Sequence, residues 1–453
     1  MKTANPSTGL KGNGERSRRV RLITLGCKVN QYETQVIREN LLKAGFKESE
    51  KNLPADIYVI NTCTVTHKAD QESLYYINRS RRLNPKAKII VTGCLAELDK
   101  RIISRQKGIS LIVKNKDKYR IAKLLKGSGS NNGSNITGFH KHTRAFLKIQ
   151  DGCDNFCTYC KVPLVRGASR SRPLSEILEE AQALVKNGFK EIVLTGICLG
   201  SYGKDVGRGK GRGKGRGKGI DLVGLIKELE KIKGLIRIRL SSIEAKDVTD
   251  ELIGRIAKSK KLCRHLHIPI QSGDNQILKA MNRKYSRQDY LGLVRKIKNN
   301  IADIAITTDC LVGFPGERED NFQNTVDLVK EIVPLKVHIF PYSERKATSA
   351  YNLKDKIPSN IVRDRMIYLK IIANKCALEF RKKFLDKRMD VLIEGMVKGS
   401  QGLWQGHTDN YLKVMVTSDK DIRNRILLVK LKDIKRDSDY FLASKRKRGQ
   451  NYF

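Results

Sequence analysis

The sequence predicts an α/β protein in three consecutive parts: an open parallel sheet, an open partial (β/α)6 barrel and a small β-barrel. Three observations lead there. β-Branched runs alternate with amphipathic stretches through the first 120 residues, six further strand–helix units follow from about Phe146, and short strands separated by polar turns fill Lys387 to Ile434.

In the first part the strands are Val20–Leu25, Asp56–Asn61 and Lys88–Thr92. Between them lie helical stretches over Glu33–Ala44, apolar at Val36, Ile37, Leu41 and Leu42 and ended by Gly45, and over Lys68–Leu83, which stops before Pro85. This order implies a flavodoxin-like sheet. A cysteine follows each strand: Cys27, Cys63 and Cys94. In an open parallel sheet the C-terminal strand ends share one edge, where ligands bind, so three thiols should converge there. A single buried cysteine packs as a small hydrophobe; three in equivalent places suggest a metal cluster.

The second part reads as strands Ala145–Ile149, Glu191–Leu194, Ile236–Leu240, His265–Ile268, Ala305–Leu311 and His338–Phe340. Active groups of such barrels lie on the C-terminal strand ends. There the first unit carries Cys153, Cys157 and Cys160 in a C-x3-C-x2-C run. A cubane iron–sulfur cluster normally takes four thiolates, so three on one loop leave an iron open for chemistry. A zinc knuckle would show paired CxxC or Cys/His groups, and no second CxxC exists; buried free thiols are the other alternative. His265 and His267, alternating along a strand, read as packing or substrate-facing groups rather than metal ligands. Cys263, Cys310 and Cys376 stand in apolar contexts and, like Cys198 after the second strand, read as neutral small residues.

The third part has strands at Asp390–Glu394, Leu403–Gly406, Tyr411–Val416 and Ile426–Lys432. Its Trp404 and Tyr411 could stack on bases or belong to the core. The expected boundaries are a disordered extension 1–19, an α/β domain 20–135, a barrel domain 140–385, a closing domain 387–440 and a basic tail 441–453. Residues 207–219 alternate glycine with arginine or lysine, which forbids a stable helix or core; a flexible insertion is expected.

Lysine and arginine number 90 against 47 acidic residues, a formal net charge of +43. Such an excess points to a polyanionic partner, since basic surfaces bind nucleic acid through counterion release. No apolar run approaches the roughly 18 residues of a membrane span, and residues 1–19 lack the apolar core of a signal peptide. Ten cysteines in a long, unexported chain fit metal binding better than disulfides. A cytoplasmic protein without membrane contact is expected.

TLGCKVNQYET at 24–34, NTCTVTHKAD at 61–70, GCDNFCTYC at 152–160, RGASRSR at 166–172, HLHIPIQSG at 265–273 and VGFPGE at 312–317 together resemble the methylthiotransferases. These are radical S-adenosylmethionine enzymes that insert a methylthio group into an unactivated C–H bond. The resemblance runs from about residue 20 to residue 440. It implies two [4Fe–4S] clusters, on Cys153/Cys157/Cys160 and on Cys27/Cys63/Cys94, with S-adenosylmethionine on the open iron of the first. Thr195 and Gly196 would then meet the cofactor's methionine end and Ser242 and Glu244 its polar groups, with Gln271 at a further strand end of the cofactor site and Val312 and Gly313, in the run to Gly316, closing around its adenine; an ordinary turn role is the alternative for such strand-end residues.

CKVNQYET resembles the branch acting on N6-threonylcarbamoyladenosine beside the tRNA anticodon, position 37, whereas the isopentenyladenosine branch usually carries GCQMN and the ribosomal-protein branch GCPKN. Gly406 to Tyr411 resembles the RNA-binding TRAM module. The implied partners are tRNA and an electron donor such as flavodoxin or ferredoxin, with the chain acting as a monomer. The rival readings are the two other substrates and a non-catalytic iron–sulfur RNA-binding protein.

Overall fold

The computed structural model describes residues 18–50, 53–98, 100–126, 133–205, 220–434 and 439–444. The insertion 207–219 and nearly all of the expected N-terminal extension lie outside the described residues.

The first sheet has the order β2-β1-β3-β4-β5, built from β1 (Arg19–Thr24), β2 (Lys47–Glu48), β3 (Ile57–Thr62), β4 (Lys88–Gly93) and β5 (Ile109–Ile112), all parallel. β3 is buried along its whole length, which explains its continuous apolar run, because a central parallel strand is covered on both faces. Two helices cross between strands, α1 (Lys28–Lys43) and α2 (His67–Leu83), while α3 (Cys94–Leu98) opens directly after β4. β2 and β5 were not expected: two and four residues are too short to show a period.

The second part pairs β6 (Arg144–Lys148), β9 (Glu191–Thr195) and β10 (Arg237–Leu240) in one parallel sheet and β11 (His265–His267), β12 (Ala305–Val312) and β13 (Lys336–Pro341) in another. Bridges Ile238–Leu262 and Ser242–His267 join the two. The result is a six-stranded half-barrel in which β6 and β13 are free edges. Between β6 and β9 a short antiparallel pair, β7 (Gln150–Asp151) with β8 (Arg170–Ser171), clasps the ends of the cysteine loop. Tyr32 and Val36 of α1 are packed into the half-barrel's core with Ala145 and Leu147, so the first part is docked on the β6 edge.

β14 (Arg388–Met396), β15 (Leu403–Thr408), β16 (Lys413–Thr417), β17 (Ile426–Ile434) and β18 (Tyr440–Ser444) close a barrel in the order β14-β15-β16-β18-β17. Four strands were expected. The fifth falls where a basic tail was expected to begin, and its Phe441 is fully buried in the barrel core. Flanking lysine and arginine runs conceal so short an apolar strand in the sequence. Trp404 is a core residue, its Nε1 donating to Ser418 O at 3.1 Å.

Candidate active site

The loop cysteines owe their position to one glycine. A Cβ on Gly152, whose φ is +73°, would stand 2.0 Å from Ala168 O, so only glycine lets the outgoing and returning arms of the loop touch. Cys153 N donates to Gly167 O at 3.1 Å and Cys160 N to Cys157 O at 3.0 Å. The three thiols lie within one another's electrostatic reach. Two donors are aimed at sulfur: Arg283 Nη1 at Cys157 Sγ, 3.3 Å, and Val162 N at Cys160 Sγ, 3.4 Å. Converging sulfurs with a guanidinium and an amide pointed at them fit an anionic iron–sulfur cluster. Burial pushes the Cys160 thiol up to about 11, so loading iron there must displace a proton.

Cys198, expected to be a neutral small residue, lies against the loop site. It is buried, and its hydrogen bond with Cys153 is the main cause holding the Cys153 thiol below its usual value. Its Sγ also accepts from Ser201 Oγ at 3.1 Å. Cys263, Cys310 and Cys376 are buried.

The other three cysteines come from three strand ends brought level by the parallel register, Thr24 opposite Asn61 and Thr62 opposite Gly93. Cys27 caps α1, Cys63 follows β3 and Cys94 opens α3. A Cβ on Gly26 would lie 2.7 Å from Cys63 Sγ, so glycine again permits the approach. Each thiol lies within electrostatic reach of the others. Burial pushes Cys63 up to about 12 and raises Cys94. This set can hold a second cluster by the same three-ligand logic.

Between the two sets runs a buried ionic network whose convergence no spacing in the sequence announces. Glu33 of α1 accepts from Lys118 Nζ at 2.5 Å, Lys148 Nζ at 2.9 Å and Arg166 Nη1 at 2.8 Å. Arg166 Nη2 also reaches Asn30 Oδ1 at 2.5 Å, and Asp151 accepts from Lys148 at 2.6 Å. Burial works to raise the Glu33 carboxyl, but Arg166, Lys118 and Lys148 outweigh it and hold it well below the usual carboxylate range. The helix that begins at Cys27 is thereby tied to the strand that leads into Cys153. On the far side, Arg345 Nη2 bonds Thr64 Oγ1 at 2.8 Å and Asp70 Oδ2 at 2.5 Å, fixing the Cys63 loop to the segment after β13.

The expected cofactor residues line the strand ends around the cysteine loop. Thr195 is buried and bonds Val193 O. A Cβ on Gly196 would come 3.0 Å from Gln150 Oε1, and Gln150, not singled out in the sequence, ties the clasp together: it accepts from Cys198 N and donates to Gly152 O, each at 2.8 Å. Ser242 is exposed, and Glu244 is paired with Arg283. Gln271 has φ +62° and bridges Asp309 O and Leu311 N. Val312 is buried. Gly313 N donates to Glu317 at 2.9 Å, and a Cβ there would strike Val362 at 2.4 Å, so this glycine serves a close turn. Arg283 and Gln150 escaped notice because a lone arginine or glutamine carries no spacing signal.

His267 pairs with Asp309, Nε2 to Oδ2 at 3.1 Å, and His265 stacks on Tyr411 with centroids 4.6 Å apart. Tyr411 is thus a plug between the two barrels rather than an exposed stacking platform.

A half-barrel with three cysteines on the loop after its first strand defines a class. Residues 147–329 match the family model "Radical SAM superfamily" and 19–114 match "Uncharacterized protein family UPF0004". The fold is similar to a radical S-adenosylmethionine methyltransferase, TsrM, from Kitasatospora setae with cobalamin and a [4Fe–4S] cluster bound (TM-score 0.53, 14% identity, 74% of this chain and 77% of that one).

Within the class the relatives are narrower. The chain is 38% identical to the threonylcarbamoyladenosine tRNA methylthiotransferase MtaB of Bacillus subtilis over 90% of its own length and 92% of the relative's. It is 38% identical to the protein of that name from Chlamydia pneumoniae (87% and 90% of the two chains), and 36% identical to the tRNA-2-methylthio-N(6)-dimethylallyladenosine synthase of Clostridium tetani (90% and 92%). The chain belongs to the radical S-adenosylmethionine methylthiotransferase family and is a transferase with two [4Fe–4S] clusters and S-adenosylmethionine as cofactors. Among the described residues no helix is long and apolar enough to cross a membrane.

Proposed function

We propose that this enzyme converts N6-threonylcarbamoyladenosine beside the tRNA anticodon to its 2-methylthio derivative. The observation that carries the proposal is the pairing of two three-cysteine sites, joined through Glu33 and Arg166, at the mouth of one half-barrel. CKVNQYET at 27–34 and the names of the B. subtilis and C. pneumoniae relatives favour the threonylcarbamoyl substrate; the C. tetani relative keeps the dimethylallyl substrate as the rival.

Cys153, Cys157 and Cys160 would hold one cluster, and Cys27, Cys63 and Cys94 the other. When bound, these groups supply the electron that cleaves S-adenosylmethionine and the sulfur that is transferred. The chain's own contribution is positional. Arg283 holds the Cys157 sulfur and Glu244 together at the cofactor edge, Gln150 fixes the loop clasp, and the Glu33 network sets the spacing between sites while excluding water. The reductant would be a small electron carrier such as a flavodoxin or ferredoxin.

Nucleoside mass spectrometry of tRNA from a deletion strain tests the substrate. The 2-methylthio-threonylcarbamoyl nucleoside should vanish and its unthiolated precursor accumulate; loss of the dimethylallyl derivative instead would overturn the proposal. Release of 5′-deoxyadenosine by the anaerobically reduced protein tests the S-adenosylmethionine cleavage step.

A further inference from the structure

Inside the half-barrel, β11, β12 and β13 turn His265, His267, Thr307, Asp309 and His338 toward one recess. Thr307 Oγ1 lies 2.9 Å from His265 Nε2 and 2.8 Å from His267 Nδ1. A hydroxyl has one proton, so it donates to one ring and accepts from the other. With His267 Nε2–H given to Asp309 at 3.1 Å, His267 Nδ1 accepts from Thr307 and His265 Nε2–H donates to it. This leaves His265 Nδ1, which has no partner among the described residues, as a bare lone pair rather than an orphaned N–H, the rarer case in buried sites. His267 Nε2 thereby anchors the Asp309 carboxyl group in place.

The ligand atoms of His267, Asp309 and His338 fall within 4.8 Å of one another, a spacing a divalent cation could use. The surrounding charge argues against it. Arg239 and Arg144 lie over the Tyr411 ring at the closed end, 4.8 and 5.5 Å from its centroid. Lys28, directly after Cys27, is solvent-exposed and lies within electrostatic reach of Tyr411, Arg144, Arg239 and Asp309, on the open side of the recess. The arginines are engaged: Arg239 with Glu191 at 2.6 Å and Arg144 with Glu394 at 3.2 Å. The Lys28 ammonium forms no ion pair or hydrogen bond with another described side chain, so the recess holds an uncommitted cation beside an anchored carboxylate.

We propose that Lys28 and the His267–Asp309 pair form the pocket that selects the N6 substituent of the substrate adenine, Lys28 taking the carboxylate of an amino-acid appendage and Asp309 accepting its ureido N–H. This rests on the proposed function. Adenine C2 and C6 flank the same ring nitrogen, so a group gripping the N6 appendage must stand near whatever delivers sulfur to C2, and Lys28 adjoins Cys27. An apolar dimethylallyl appendage would satisfy neither charge and would strip water from both, a net penalty.

The test is binding of anticodon stem-loop RNAs bearing threonylcarbamoyladenosine, dimethylallyladenosine or plain adenosine to the full-length holoprotein, read by fluorescence anisotropy. The wild type should prefer the threonylcarbamoyl RNA by about tenfold or more, the size of one charged hydrogen bond. Lys28→Met should erase that preference at wild-type iron content, and Lys28→Arg should restore most of it. Should Lys28→Met lose iron, Asp309→Asn, which replaces no cysteine, carries the test and should cut the preference severalfold. A preference that survives in an iron-replete Lys28→Met protein, or in Asp309→Asn where Lys28→Met loses iron, overturns the pocket. A wild type that prefers the dimethylallyl RNA overturns the functional reading beneath it.

Discussion

The two cysteine sites are chemically alike and structurally opposite. Cys153, Cys157 and Cys160 come from eight consecutive residues on a loop clasped by two-residue strands, and the contacts that shape them are mostly local: Gly152 against Ala168, Cys153 N to Gly167 O, Val162 N to Cys160 Sγ. Cys27, Cys63 and Cys94 span 68 residues, and nothing local joins them. Their meeting depends on the parallel register of β1, β3 and β4 and on the glycine that lets Cys27 approach Cys63. A site made by a loop should survive damage to the sheet; a site made by strand ends should not.

The largest test of that contrast removes each set in turn. Anaerobically reconstituted protein should hold about eight irons, two cubanes. Replacing Cys153, Cys157 and Cys160 by alanine should halve the iron and abolish S-adenosylmethionine cleavage. Replacing Cys27, Cys63 and Cys94 should also halve the iron yet leave measurable cleavage. Full iron content in the second variant would show that the strand-end cysteines hold no cluster.

Legibility in the sequence follows the same division. The loop site is visible in one motif because its geometry is local. The strand-end site was legible only once β1, β3 and β4 were read as parallel, since equal strand ends place following residues on one edge. What holds both sites was invisible: Glu33, Lys118, Lys148 and Arg166 are scattered charges whose convergence depends on docking α1 against β6. Lys28 stands inside a motif read for its cysteine and for the branch it resembles, with no role of its own assigned to it. Cys198, read as a neutral small residue, lies with its sulfur against Cys153, a contact its neighbours Ile197 and Leu199 do not announce. The C-terminal barrel was underestimated by one strand, hidden among basic residues.

A smaller effect, and one that should fall unevenly, comes from Glu33. Glu33→Ala leaves buried Lys118 without its anion and Lys148 and Arg166 with Asp151 alone, a loss of about 3–5 kcal/mol on the scale of broken buried ion pairs. The Cys27/Cys63/Cys94 site should lose iron first, because α1 begins at Cys27 and is the helix released. Glu33 is held below its ordinary value of 4.5, so the folded state binds its proton more weakly than the unfolded chain. Its stabilisation is therefore full above that value and fades as pH falls through the depressed folded value. Urea midpoints of wild type and variant should be well separated at neutral pH and converge under strong acid. Equal separation at both ends would mean that the carboxylate charge is not what Glu33 contributes.

The smallest effect expected lies within the loop site. Cys198 bonds Cys153 and accepts from Ser201, but a neutral sulfur contact is worth at most about 1 kcal/mol net, and the loop keeps its clasp through Gln150 and Gly152, neither of which needs the Cys198 side chain. Gln150 Oε1 takes the Cys198 backbone N–H, which any residue but proline would supply. Cys198→Ala should accordingly retain all the iron at both sites and change the rate of S-adenosylmethionine cleavage by less than about tenfold, the equivalent of about 1.4 kcal/mol. Loss of half the iron in this variant, traced to the Cys153/Cys157/Cys160 site by combination with the strand-end triple replacement, would mean that the loop is not self-sufficient. The contrast between a local and an assembled site would then have to be redrawn, with the loop site also depending on a thiol from the next strand.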